Sequence, residues 1–313
     1  MKLTIKVEVE KSLSIITINY NGLKDTSELM ETLPLEDKSI EVIVVDNAST
    51  QDEATIIEQR FPQVTVIRSH KNLGFAGGNN LGIQAAHGKY LFFINNDTLF
   101  RGVGHSLTSY LLPLTSLLDS SDNIGAVCPK IRFAWANNPI QYAGYTPLSN
   151  ITLRNTAIGC GEEDDGQYNT PHPTPYAHGA AMMVKREVID KVGFMPECYF
   201  LYYEELDWSM MIRRAGYDIW YEPTSTIYHK ESQATGQDSP LKSYYMTRNR
   251  LLFAKRNISS PLKYLTYSYL IGIVAIRDIV KSLLCHRPDL SKATLKGLRD
   301  FFALTSNPSP LTS

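Results

Sequence analysis

The sequence predicts an α/β protein: a mostly parallel sheet flanked by helices, followed by a helical C-terminal extension. Three observations predict it. Short runs of isoleucine, valine and phenylalanine alternate with helical patterns over the N-terminal third, as βαβ units require. Those runs are apolar at nearly every position rather than at alternate ones, which suits strands covered on both faces. Beyond position 240 the strand patterns stop and basic segments with helical spacing take over.

SLSIITINYNG (12–22) reads as a buried strand that stops in a turn at Asn21-Gly22. A helix follows, with Asp25 at its N-cap and Glu28 three residues on. IEVIVVD (40–46) is the second strand. Thr50 and Glu53 then form a capping box, behind which Ala54, Ile57 and Phe61 recur at helical spacing. VTVIRS (64–69) is the third strand, NNLGIQAAHG (79–88) a helix opened by asparagine and closed by Gly88, and KYLFFIN (89–95) the fourth strand. Residues 120–175 read as loop-rich, ending in the acidic, proline-rich segment 161–175. YAHGAAMMVKREVIDKVG (176–193) is a strand and a helix closed at Gly193. ECYFLYYEELDWSMMIRRAGY (197–217) is an aromatic run entering a helix closed at Gly216, and residues 219–232 are extended again. The pattern divides the chain at 1–240 and 241–313.

With 313 residues, 43% hydrophobic and 20% charged, the chain has globular composition, which excludes disordered and fibrous classes. Four cysteines without a CxxC pair exclude a zinc ribbon and read as free, mostly buried thiols. No secretory signal stands at the N-terminus, and the apolar stretch 264–276 is too short for the ~20 residues of a spanning helix. It reads as a buried or interfacial helix, in a cytoplasmic protein that is soluble or peripheral at the membrane. Charge is asymmetric: residues 241–313 carry 12 Lys/Arg and 3 Asp, net +9, against net −10 for the rest. Either the basic tail faces an anionic partner or it docks on the acidic part of the chain.

In a parallel sheet, ligands bind beyond the carboxyl ends of the strands. Tyr20-Asn21, Asp46-Asn47 and Asn95-Asn96-Asp97 all stand there. Each group alone is equally a turn or cap. No GxGxxG follows the first strand and no GK[ST] follows the glycines of NLGFAGGNNLG (72–82), so neither a dinucleotide fingerprint nor a P-loop is present. Those glycines serve either a tight turn or a ligand loop. Asp97 can hold a hard divalent ion, and His229 can join it or be structural. Glu204, Glu205 and Asp207 open a helix whose N-terminus favours ionised carboxylates, ground suited to a general base. Arg213, Arg214, Arg248 and Arg250 are phosphate partners or a solvated helix face.

Taken in order, VVDNAST (44–50), NLGFAGGNN (72–80), YLFFINNDT (90–98), IGAVCPKI (124–131), HGAAMMVKR (178–186), FLYYEELDWSMMIRRAGY (200–217), YHKES (228–232) and YMTRNRLLFAKRN (245–257) resemble the inverting family 2 glycosyltransferases of GT-A fold, especially their bacterial rhamnosyltransferase-like branch. The resemblance implies that Tyr20, Asn21, Asp46 and Asn47 surround the nucleoside of a donor, and that Asn79 and Asn80 border its diphosphate. Asn95-Asn96-Asp97 occupies the family's DXD position, with Asp97 and His229 holding Mg²⁺ or Mn²⁺. EELD takes the place of the catalytic acids, Glu205 being the usual base, with Glu204 or Asp207 as substitutes. Arg248 would lie near the diphosphate or acceptor. A dTDP- or UDP-sugar donor is implied, rhamnose being favoured, with a glycan or lipid-linked acceptor in polysaccharide assembly and the basic tail on anionic membrane. Two rivals stand beside this reading: a sugar-nucleotide or glycan-binding protein without activity, supported by Asn95 and Glu205, and a nucleotidyltransferase, which NYNGLKDT serves poorly. Nucleic acid is not an expected partner, since the basic residues lie in an apolar tail without an aromatic-interleaved platform.

Overall fold

The computed structural model describes residues 12–101, 108–135, 137–231 and 239–306. Strands β1 (Leu13–Asn19), β2 (Ile40–Asp46), β3 (Thr65–Arg68) and β4 (Tyr90–Ile94) pair in the order β3-β2-β1-β4, all parallel. Helices α1 (Leu23–Thr32), α2 (Glu53–Arg60) and α3 (Gly74–Ala85) connect them. The sheet continues through β9 (Ala181–Lys185), β6 (Ile124–Phe133), β10 (Asp218–His229) and the short β5 (Thr98–Leu99). β9 runs antiparallel to both neighbours, so β6 and β10 point the same way as β1 and β4. Two short strands, β7 (Ile140–Tyr142) and β8 (His172–Pro173), add to β6 and β10, and α4 (Thr108–Asp119) packs beside those two long strands. The chain winds outward from β1 to β3 and then returns to β4 on the other side of β1. That reversal leaves a crevice at the carboxyl ends of β1 and β4.

β4 and β9 are buried at every position, which explains their unbroken apolar runs. α5 (Arg186–Val192) ends at Gly193, whose φ of 88° needs a residue without a side chain. α6 (Glu204–Arg214) carries the EELD acids in its first turn. α7 (Pro240–Asn257) begins after the Ser239 side-chain cap. α8 (Leu262–Tyr269), a π-helical turn (Leu270–Ala275) and α9 (Ile276–Leu284) follow without a break, and α10 (Pro288–Ser306) folds back on α7. A second apolar core joins Tyr199 and Tyr203 to Leu252, Phe253, Val274 and Phe301, so side chains from both sides of position 240 share it.

Several expectations need correction. Gly22, not Asp25, stands at the N-cap of α1; Asp25 and Glu28 instead accept from Lys230 Nζ, each at 2.6 Å. Asp52 caps α2 by accepting from Thr55 N, while Thr50 donates to Asn21 Oδ1. α3 starts at Gly74 rather than Asn79, so the glycine-rich segment is mostly helix and ends at Ala85 rather than Gly88. The region read as loop-rich contains the ten-residue β6. All four cysteines are free, but only Cys128 is buried; Cys160 and Cys285 are exposed. The basic tail is helical as expected, and no helix among the described residues is long and apolar enough to cross a membrane. Ser232 and the segment 1–11 lie outside the described residues.

Candidate active site

The three polar strand exits are knitted together. Asn19, the last residue of β1, donates from Nδ2 to Asp46 Oδ1 at 2.9 Å and to Glu53 Oε2 at 2.8 Å. Its Oδ1 accepts from Thr26 Oγ1 at 2.7 Å, and Thr26 in turn accepts from Asn96 Nδ2 at 3.0 Å. Ser49 Oγ donates to Asp46 Oδ1 and accepts from the Asn21 backbone. Thr50 N donates to Asn21 Oδ1 at 2.8 Å, holding that residue at a φ of 52°. Tyr20 stands above this network, 48% exposed, with an open aromatic face. Asn47 ties the exit of β2 to α3: its Nδ2 donates to Gly74 O at 3.1 Å and its Oδ1 accepts from Leu73 N at 2.9 Å.

At the exit of β4, Asn95 N donates to Ala180 O and the chain turns into β5, which pairs antiparallel with the end of β10. That pairing sets Thr98 opposite His229 and brings Asp97 Oδ1 within 3.1 Å of His229 Nε2. Both residues are buried, at 6% and 7% exposure. Gln141 Oε1 lies 2.8 Å from His229 Nδ1 and accepts its proton. With Nδ1 so occupied, Nε2 is the ring nitrogen that faces Asp97. A carbonyl that fixes the tautomer of a ligating histidine is the usual outer partner of a metal site. Asp97 and His229 therefore fit a divalent ion as a two-ligand half-site; no group of three or more His, Cys, Asp or Glu surrounds it among the described residues. The remaining positions would fall to oxygens from a ligand.

Opposite them stands α6. The loop ahead of it is strained: Phe200, Tyr202 and Tyr203 have φ of 68°, 68° and 80°, which costs on the order of 1–3 kcal/mol per residue. Asn249 offsets this by donating from Nδ2 to Tyr199 O, Leu201 O and Tyr202 O at 3.0, 2.7 and 2.9 Å. Arg248 adds donation to Cys198 O and Tyr199 O, and Phe75 N donates to Phe200 O. The result turns the first carboxylates of α6 toward segment 178–180. A Cβ on Gly179 would lie 3.6 Å from Glu205 Cγ. The neighbouring His178 stacks on Tyr145, and the field of Glu205 adds to the burial that raises the Tyr145 phenol. Burial, then the charge of His229, pushes His178 down to about 3; its Nδ1 accepts from Ala180 N as a neutral ring. Segment 178–180 thus borders Glu205 at Gly179 and the exit of β4 at Ala180, whose carbonyl accepts from Asn95 N.

The three acids of α6 differ. Asp207, 1% exposed, accepts from Tyr199 Oη and Asn257 Nδ2 and pairs with Arg256, so its lone pairs are consumed within the fold. Glu204 is buried, and its Oε2 has no hydrogen-bond partner. Desolvation, then the charge of Glu205, raises its pKa well above the ordinary value. Glu205 is half-buried; desolvation raises it too, partly offset by backbone N–H groups of the helix start.

Other expected site residues lie elsewhere. Asn80 is buried in α3; its Nδ2 donates to Met195 O and Glu197 and its Oδ1 accepts from Met195 N. Asn79 Nδ2 donates to Phe75 O in its own helix. Arg248 is a loop clamp that also stacks its guanidinium on Tyr245 at 4.9 Å. Sequence reasoning missed Asn19, Thr26, Ser49, Glu53, Gln141 and His178. An asparagine inside the apolar run LSIITIN was a usable signal for Asn19. Gln141 had none, because only the fold brings β7 beneath His229.

The description "Glycosyl transferase family 2" belongs to the family model that matches residues 14–193. The chain belongs to that family. It is a glycosyltransferase, and several of its relatives are named for sugar transfer. The low-salt glycan biosynthesis hexosyltransferase Agl10 of Haloferax volcanii is 25% identical over 273 residues, covering 87% of this chain and 84% of the relative. The dTDP-rhamnosyl transferase RfbF of Shigella flexneri is 24% identical over 298 residues, covering 88% and 87%. The N-acetylglucosaminyl-diphospho-decaprenol L-rhamnosyltransferase of Mycobacterium tuberculosis is 22% identical over 250 residues, covering 72% and 78%. Among solved structures, the mannosyltransferase PcManGT of Pyrobaculum calidifontis, in complex with GDP-Man and Mn²⁺, superposes with a TM-score of 0.54 at 16% identity, over 96% of this chain and 76% of that one. That likeness is one of fold, the GT-A glycosyltransferase fold.

Proposed function

We propose that this family 2 glycosyltransferase transfers a sugar, with inversion, from a nucleoside-diphosphate donor to a hydroxyl of a glycan or lipid-linked saccharide. The observation that supports the reading is that segment 178–180 borders Glu205 at Gly179 and meets the exit of β4 at Ala180 O, which accepts from Asn95 N two residues before Asp97. Tyr20, Asn21 and Asp46 receive the nucleoside at the β1–β2 exits, and Asn95 and Asn96 border the sugar and diphosphate. Asp97 and His229 would hold Mg²⁺ or Mn²⁺, and the chemistry such an ion would supply is neutralisation of negative charge on the nucleoside diphosphate. Glu205, the one carboxylate of EELD neither locked in a pair nor held protonated by deep burial, removes the acceptor proton. The acceptor oxygen bonds the anomeric carbon as the carbon–phosphate oxygen bond breaks. Asp207 keeps α6 and α7 in register. Names of relatives favour dTDP-rhamnose, with UDP-hexoses next, and an acceptor joined to a lipid by diphosphate. Residues 241–313 act on the acceptor side, at an anionic membrane surface.

Purified protein, offered dTDP-rhamnose and UDP-hexoses with Mn²⁺ or EDTA, is expected to release nucleoside diphosphate only with metal. Glu205→Gln should lower kcat by about 10²–10⁴. Asp97→Ala should abolish the metal response. Tight donor binding without release of nucleoside diphosphate, in wild type and variants alike, would establish the binding-protein alternative instead.

A further inference from the structure

A cavity of about 470 Å³ lies in the C-terminal helices rather than at the strand exits. That volume is within the range of small-ligand sites, roughly 300–1,000 Å³. Its walls come from α7, the π-helical turn, α9, α10 and the loop at Arg154. Six cations line it: Arg154, Lys242, Arg250, Arg277, Lys281 and Arg287. Asp278 is the sole acid in that lining, and it pairs with Arg277. Arg154, Lys242 and Lys281 form no ion pair with any described residue. The rest of the wall mixes the hydroxyls of Ser243, Thr247, Ser282 and Thr294 with apolar side chains, among them Leu270, Val274 and Ala275 of the π-helical turn. Such turns interrupt a regular helix at a cost and recur where a ligand uses the distorted backbone.

Two neighbours of this cavity bear on what it takes. On the inner side, Arg250 Nε donates to Tyr203 Oη at 2.8 Å, immediately before Glu204 and Glu205 in sequence. That bond ties the cavity wall to the residue that precedes the acids of α6. On the outer side, Ile273, Ile276, Val280 and Leu283 follow one another at helical spacing and are exposed, and the adjacent Leu284 is 76% exposed. At about 100° per residue, this stripe lies one step round the helix from Arg277 and Lys281. An apolar path thus leaves a cationic pocket along the surface of α9.

We propose that this cavity binds the phosphate or diphosphate group of a lipid-linked acceptor, with its hydrocarbon chain lying along the exposed stripe of α9. The proposal deepens the acceptor reading given above and rests on it. Multiple cations answer the charge of a diphosphate, and a free nucleotide or inorganic anion has no use for the stripe. Binding there would place the sugar beyond the diphosphate near Glu205.

Farnesyl diphosphate is a soluble probe that combines both features. Titration calorimetry of the full chain, in EDTA and without donor, should show it binding at least tenfold more tightly than inorganic pyrophosphate. Lys242→Gln with Lys281→Gln should weaken farnesyl diphosphate by tenfold or more. Lys292→Gln with Lys296→Gln, the same charge change outside the cavity, should leave it unaltered, and thermal unfolding of each variant without ligand checks that both pairs fold. Equal loss in the two pairs would reduce the effect to general charge attraction and overturn the proposal. Equal affinity for pyrophosphate would make the cavity a free-anion site, and no binding would end it. Donor turnover measured on the same variants separates the failures: if nucleoside diphosphate is still released while farnesyl diphosphate does not bind, the cavity reading falls and the transferase reading stands.

Discussion

At the scale of single residues, two adjacent glutamates in one helical turn do different work. Glu204 is desolvated and lacks a partner for Oε2, which favours its protonated form. Glu205 faces segment 178–180 and can exchange its proton with an acceptor. Glu204→Gln keeps shape and neutrality and is expected to retain activity within a few-fold, where Glu205→Gln loses it. Because desolvation raises Glu205, its ionised form is lost on acidification at a higher pH than an ordinary glutamate near 4.5 would show. The acid limb of a kcat–pH profile should therefore lie above that value. Glu204 also links stability to pH. Its stabilising, protonated form is fully populated below its unfolded value and is lost as pH rises through the raised folded value. Urea unfolding of wild type and Glu204→Gln should show the variant gaining relative stability toward alkaline pH; a constant difference would contradict a buried protonated Glu204.

At the scale of elements, the catalytic helix depends on a loop that does not relax by itself. Three aromatic residues with positive φ precede α6, and a single amide on α7 binds three of their carbonyls. Asn249→Ala should cost about 1–3 kcal/mol through the unmet carbonyls and lower kcat more than the donor KM. Gly74 supports the loop from the other side: with φ of +72°, a Cβ there would sit 2.1 Å from Phe200 O. Gly74→Ala should displace the same loop, so the two variants should share one kinetic signature. A loss of stability in Asn249→Ala with unchanged kcat would leave Asn249 a stabilising residue only.

Across the whole molecule, the helical extension is bound into the enzyme by charge as well as by its core. Asp207 is buried on α6 and meets Arg256 and Asn257 at the end of α7. Removing one partner of a buried pair costs about 3–5 kcal/mol, since the other charge remains. Arg256→Met is expected to destabilise by that order in urea, and Asp207→Asn with Arg256→Met by less. With Asp207→Asn measured alone as the third corner, a double loss equal to the sum of the two single losses would show that the pair is not coupled. The same helices wall the basic cavity, so α7 serves both the second core and that cavity.

The sequence by itself determined the alternation of strands and helices and the polar residues at three strand ends, because both follow from local periodicity and from where apolar runs stop. It also carried the family, through an ordered set of short segments. Other features were invisible to it. The glycines of 72–82 looked like a loop, yet close packing of α3 on β1 and on the 200 loop uses them inside a helix. Asp207 stood as a substitute for Glu205 as the base until Arg256, distant in sequence, claimed it. His229 acquired an orientation only when β7 brought Gln141 beneath it. Spacing along a chain records which face a residue shares with its neighbours; which charges meet, and which are then neutralised, is decided by contacts between segments that only the folded chain brings together.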